Sequence, residues 1–280
     1  MNIKITSDST CDLSKELLEK HNITIVPLTV IKDDKAFADG ITITTDEIFA
    51  HVAAGGNLCS TTAVSVGEYQ EWFEKFASDY DAVVHISISS EFSSSYQNAC
   101  LAAEEFSNVI AIDSRNLSTG QGLVVLKACE LASDVSSLDE IKTLLDEFTS
   151  KVEASFLLDQ LGYMVKGGRC STVTALGANL LNLKPCIEVK NGKMSVVKKY
   201  RGTYSKCLAS YVKDRLSNRD DLDRKNLFVT RTPVNDACLD AVKEAVDAYA
   251  EFENIYWTMA GCTISCHCGP GTLGVLFVRK

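Results

Sequence analysis

The chain has 280 residues, 46% of them hydrophobic and 23% charged, with a net charge of −9. That length is generous for a single hydrophobic core, so two domains are expected. The acidic balance argues against a nucleic-acid-binding protein, which needs clustered Lys and Arg.

Residues 2–6 read as a strand, 14–20 as a helix, and 23–31 as strand-like and rich in β-branched side chains. Thr44-Thr45-Asp46-Glu47 is a capping box that opens a helix through Val52. Ser65-Val66-Gly67-Glu68 repeats the device ahead of residues 69–78, where Trp72, Phe73 and Phe76 mark a buried stripe. A strand over 82–88, a helix over 96–106, a short strand over 109–112 and a helix over 120–132 follow. Ser137-Leu138-Asp139-Glu140 is a third capping box, starting a helix to about Lys151. Strand alternating with helix predicts a three-layer α/β/α domain around a parallel sheet, over residues 1–155.

From Phe156 the texture changes. Lys166-Gly167-Gly168-Arg169 precedes a helix-like stretch over 173–181, and Asn191-Gly192 joins strands over 185–189 and 194–199 as a hairpin. A helix over 204–216, a strand over 227–230, a helix over 234–252, and strands over 254–259 and 272–279 complete the pattern. Residues 156–280 are therefore expected to form a second α/β domain with a mixed sheet. No run nears the roughly 20 apolar residues of a membrane helix. The first five residues lead into a strand without the apolar segment of a signal peptide, and eleven scattered cysteines read as reduced thiols. A cytoplasmic protein is the expectation.

Three hydroxyl-rich clusters each follow an apolar run and precede a helical pattern: Ser60-Thr61-Thr62, residues 89–95 and residues 114–118. Helix starts offer unpaired N–H groups and partial positive charge, and hydroxyls add rotatable donors. Several together would grip a carboxylate or phosphate without a metal. The second and third clusters lie at the carboxyl edge of the expected parallel sheet, where ligands of such folds bind. None carries a Gly-x-Ser-x-Gly nucleophile signature, so holding an anion fits better than cleaving a bond. For any one of these hydroxyls a plain helix cap is the competing reading, and Ser65 is assigned to its cap.

Cys262, Cys266, His267 and Cys268 supply soft metal ligands, but no second knuckle accompanies them, and neighbours along a strand point opposite ways. No metal is expected there. Lys166-Gly167-Gly168-Arg169 reads equally as a phosphate-gripping turn and as a tight interdomain turn. His85 reads as structural.

Six segments, in order along the chain, resemble the DegV family: residues 7–13 (Ser-Asp-Ser-Thr-Cys-Asp-Leu), 89–97, 112–115, 166–169, 181–185, and 267–274 from His267 through the Gly-Pro-Gly turn. The resemblance implies a two-domain fold with one long-chain fatty acid between the domains. It implies a carrier like the fatty-acid-binding subunits of bacterial fatty acid kinase. There a separate ATP-dependent catalytic subunit phosphorylates the bound carboxylate, and the acyl-phosphate enters phospholipid synthesis. By family position the carboxylate meets Thr61 or Thr62 and Ser93, with Ser94 beside it and His267 nearby, while Arg201 engages the kinase subunit. The resemblance implies no cofactor, no metal and no catalytic residue in this chain, and transient membrane contact is compatible with it. The chain departs from the family's usual residues at Val64, Ser94, Ser95 and Cys266, which bears on the headgroup contacts.

The alternative is a serine hydrolase or acyltransferase using Ser93 and His267, which requires a third residue to orient the imidazole. Phosphoryl transfer by the chain alone is a further rival, but no Walker-type loop ending in Lys-Ser or Lys-Thr is present.

Overall fold

The computed structural model describes residues 1–176 and 183–280. Its first unit comprises residues 1–152 together with 191–193 and 261–264, and its second comprises 153–190, 194–260 and 265–280.

The first unit runs β1 (Ile3–Asp8), α1 (Lys15–Lys20), β2 (Thr24–Val26), β3 (Thr29–Lys32), β4 (Lys35–Ala38), α2 (Thr45–Ala53) and β5 (Ser60–Thr62). It continues through α3 (Val66–Ala77), β6 (Ala82–Ser87), α4 (Ser95–Ala103), β7 (Val109–Asp113), α5 (Ser118–Leu131) and α6 (Leu138–Thr149). β2, β1, β6 and β7 form the expected parallel sheet in that order. All six residues of β6 are buried, as a central parallel strand covered on both faces must be. Tyr69 and Phe73 of α3 pack with Val83, Ala99 and Val109 on one side of that sheet, while Trp72 and Phe76 are only partly buried. The opposite cover includes α5, whose first nine residues are all buried. There Gly122 allows close approach, because a Cβ would collide with Leu13 and the Cys11 carbonyl.

Three expectations need correction. The stretch over 23–31 splits at Pro27, which cannot donate to a ladder, so β3 leaves the parallel sheet and joins an antiparallel sheet ordered β4-β3-β5. Ser60-Thr61-Thr62 is not a helix-start cluster but strand β5, with Thr61 opposite Val30 and Thr62 opposite Thr29. The capping boxes at Thr44 and Ser65 are present. In α6, however, Ser137 caps the Glu140 N–H while the Glu140 carboxylate reaches back to the N–H and hydroxyl of Ser136 instead, at 2.8 Å each.

The second unit holds β8 (Val152–Leu157), α7 (Gly162–Gly167), α8 (Ser171–Leu176), β9 (Leu183–Lys190), β10 (Lys193–Arg201), α9 (Tyr204–Leu216) and β11 (Leu222–Arg231). It ends with α10 (Asp236–Tyr249), β12 (Asn254–Met259) and β13 (Leu273–Arg279), and between the last two runs α11 (Cys262–Cys268), of which residues 262–264 count with the first unit and 265–268 with the second. Its sheet is ordered β10-β9-β8-β13-β11-β12 and is mixed, with β11 parallel to β12 and antiparallel to β13. Tyr211 anchors this core: its hydroxyl donates to the Ser155 carbonyl at 2.7 Å and accepts from the Val275 N–H at 2.9 Å. Asn191 and Gly192 both have positive φ, 52° and 80°, as a tight hairpin turn demands. The helix expected over 173–181 is α8 as far as Leu176, and residues 177–182 lie outside the described residues. The segment over 262–268, read above as a strand, is helix α11. Among the described residues no helix is long and apolar enough to cross a membrane.

Candidate ligand-binding site

At the carboxyl edge of the parallel sheet, the fully buried Asp8 carboxylate is matched donor by donor. Its Oδ2 accepts from the Ile88 N–H at 2.9 Å, and its Oδ1 accepts from the Tyr69 hydroxyl and faces His85 Nε2 at 3.1 Å. Thr6 Oγ1 lies 2.9 Å from His85 Nδ1, so an imidazole protonated at Nε2 satisfies both neighbours. Gln121 of α5 donates to Ser7 Oγ at 3.0 Å and to the Ile86 carbonyl at 3.2 Å, and accepts from Thr10 at 2.8 Å. A buried network satisfied in this way is rigid, and it fixes the strand ends from which the loop over 89–94 departs.

That loop is bound on several sides. The Ser89 N–H donates to the Asn116 carbonyl at 2.9 Å and the Ser89 hydroxyl to the Gly192 carbonyl at 2.9 Å. The Asp113 carboxylate gathers the N–H groups of Ser90 and Arg115. Ser93 is half-buried, accepts the first N–H of α4 (Ser95) at 3.2 Å, and lies 2.9 Å from the Ser95 hydroxyl. With Ser95 as donor in that pair, the Ser93 proton is left for a ligand. Ser94 stands exposed at the N-cap position of α4 without a side-chain cap bond. Along β5, Thr61 is half-buried and Thr62 exposed, as neighbours on a strand face opposite ways.

α11 begins against the carboxyl groups of two aspartates. Asp12 accepts from the Gly261 N–H at 2.9 Å and from the Ser118 hydroxyl at 2.6 Å. Asp39 takes the Cys262 N–H at 2.9 Å, the Thr263 N–H at 3.2 Å and the Ser9 hydroxyl at 2.9 Å. Three orphan donors of a helix start are thereby satisfied by carboxyl oxygens, and the Asp39 charge also suits the helix dipole. Burial, reinforced by the Asp39 charge, pushes the Asp12 carboxyl up to about 8, against the pull of its two hydrogen bonds. The Cys262 thiol donates to the Ile43 carbonyl at 3.3 Å, and burial raises it to about 12.

In the last turn of α11, His267 is half-buried; burial and the neighbouring Arg169 charge lower its pKa to about 4. It is a neutral donor–acceptor at pH 7. The Lys166-Gly167-Gly168-Arg169 segment is explained by packing. A Cβ on Gly167 would collide with the His267 ring, Gly168 ends α7 with φ 68°, and Arg169 donates to the Gly167 carbonyl at 2.7 Å. Gly269 and Gly271 of the Gly-Pro-Gly turn likewise have positive φ and pack against Tyr163 and Asp159. Arg201 is exposed at the end of β10, an edge strand on which Lys198 and Tyr200 both bond the Asp214 carboxylate at 2.6 Å. No sequence signal marks Asp39 or Thr263, and Asp12 enters the sequence reading only as part of the segment over 7–13, without a role.

Residues 2–280 match the family model of the DegV family of uncharacterised proteins. A DegV domain-containing protein of Caldanaerobacter subterraneus subsp. tengcongensis is 31% identical over 281 residues, covering 99% of each chain. One from Clostridium perfringens is 30% identical over 285 residues, again covering 99% of each. Among solved structures, a Thermus thermophilus DegV family protein described for its fatty acid binding superposes with a TM-score of 0.91 at 28% identity, covering 100% of both chains. DegV of Bacillus subtilis, described as a fatty acid binding protein, gives 0.85 at 27% identity over 100% of both chains. A stearic-acid-binding protein of Eubacterium ventriosum gives 0.82 at 28% identity, covering 99% of this chain and 98% of the other.

Proposed function

The chain belongs to the DegV family, and on that footing we propose that it is a non-catalytic fatty-acid carrier. It holds one long-chain fatty acid and presents the carboxylate to a separate ATP-dependent kinase subunit, which forms the acyl-phosphate. The observation that carries the reading is the end-to-end likeness to structures described as fatty-acid-binding, with TM-scores up to 0.91. In this reading Thr61, Ser93 and His267 donate to the carboxylate, with Ser94 and Thr62 at the margin. All are uncharged donors at pH 7. A carboxylate in a dry site costs several kcal/mol unless such donors converge on it.

Organic extracts of the natively purified chain, read by mass spectrometry, should contain about one long-chain fatty acid per chain. A chain that yields none and also takes up no added palmitate or oleate would sink the carrier reading. The finer reading is tested in the same preparation with ATP and a fatty acid kinase catalytic subunit. Arg201→Ala should lower acyl-phosphate formation about tenfold while the bound lipid stays, the scale of one lost charge-assisted contact. Loss of lipid from that variant would instead put Arg201 at the ligand.

A further inference from the structure

α11 carries a buried polar group that no described residue pairs. Thr263 is 4% exposed, and its Oγ1 is buried with no hydrogen-bond partner among the described residues. Its N–H is taken by Asp39, its hydroxyl by no group among the described residues. A threonine inside a helix usually turns its hydroxyl onto the carbonyl four residues back. Here that residue is Met259, which lies in β12 and not in the helix. A buried hydroxyl without a partner is destabilising, and native proteins keep few of them.

Its position says what the missing partner would be. Thr263 precedes His267 by four residues, so the two side chains fall on one face of α11, about 6 Å apart along the axis. Two hydrogen bonds of about 2.7–2.9 Å converging on the two oxygens of one carboxylate bridge that rise. The start of the helix is held by Asp12 and Asp39, so the Thr263 hydroxyl cannot reach solvent by fraying of the first turn. We propose that the Thr263 hydroxyl is a further headgroup donor, binding the same carboxylate as His267, so that α11 supplies a matched pair of uncharged donors. This rests on the carrier reading above.

The test is Thr263→Val, which keeps the shape and removes the hydroxyl, with Thr263→Ser as the variant that retains it. Fatty-acid affinity is measured by titrating oleate into delipidated protein, and thermal midpoints are taken with and without lipid. The valine variant should bind oleate about tenfold more weakly, the serine variant within about threefold of the parent, and the lipid-free valine variant should melt at or above the parent. If the valine variant binds oleate as the parent does, the inference fails and the carrier reading stands. A lipid-free valine variant that melts several degrees lower has lost an internal partner, which also overturns the proposal. An unmodified chain that binds no oleate fails the carrier reading itself and takes this inference with it. Should the valine variant not fold, Thr263→Ala offers the same deletion for the affinity arm.

Discussion

His267 protonates only near pH 4 because its burial and the Arg169 charge disfavour the imidazolium. Asp12 stays protonated up to about pH 8 because its burial and the Asp39 charge disfavour the carboxylate. Between pH 4 and the ordinary histidine value of 6.5 the unfolded chain binds one more proton at His267 than the folded one, so stability rises with pH. From the ordinary aspartate value of 3.8 up to about 8 the folded chain binds one more proton at Asp12, so stability falls with pH. Each slope is at most about 1.4 kcal/mol per pH unit. The two contributions oppose each other up to 6.5, and only the Asp12 decline remains from there to 8. His267→Asn should therefore uncover a decline beginning near pH 4. Asp12→Asn should uncover a rise to pH 6.5 and a plateau beyond it. Asn suits this site because it keeps an acceptor for Gly261 and tolerates the left-handed backbone at residue 12, with φ 50°. Urea midpoints across pH 4–8 check both; parallel curves for parent and variants would refute the assignment.

Caps and hairpin turns were readable because their chemistry is local. Thr44 and Ser65 each find their partner three residues away, and the two positive φ angles at Asn191-Gly192 follow from the residue types. The start of α11 was not readable, since Asp12 meets Gly261 across 249 positions and Asp39 meets Cys262 across 223. A seven-residue helix is marginal by itself, so its ends decide whether it persists. Its far end is tied by Thr272, whose hydroxyl donates to the Cys268 carbonyl at 3.0 Å. At its near end Asp39 receives two of the three N–H groups, so Asp39→Ala should free the amides of Cys262 and Thr263. Hydrogen exchange at those two amides should accelerate at least tenfold, with little change at Val83 or Val84 in the buried strand β6. Asp39→Asn retains one good acceptor and should fall between. Unchanged protection in the alanine variant would show that the first turn is held by other contacts.

At the scale of the whole molecule, alternating strand and helix foretold the parallel sheet, and the hairpin followed by helices foretold the mixed one. What composition could not show is that residues 191–193 and 261–264 belong with the first unit, where tertiary hydrogen bonds tie them to Ser89, Arg115, Asp12 and Asp39. The proposed fatty-acid ligand was likewise not legible in the hydroxyl clusters alone, since the same donors suit a phosphate. A ligand that binds only the folded chain stabilises it by RT ln(1 + [L]/Kd), about 2.7 kcal/mol at a hundredfold excess over Kd. For a chain of 280 residues that corresponds to a rise in Tm of roughly 5 °C. Delipidated protein should therefore melt several degrees below the natively purified form. Added oleate should restore the difference, with Tm climbing in proportion to the logarithm of free oleate. On the carrier reading inorganic phosphate at equal concentration should leave Tm where it was, because an alkyl chain would supply most of the buried apolar area and its headgroup would mainly set orientation. A phosphate-dependent rise without an oleate effect would move the ligand from a lipid to a small anion.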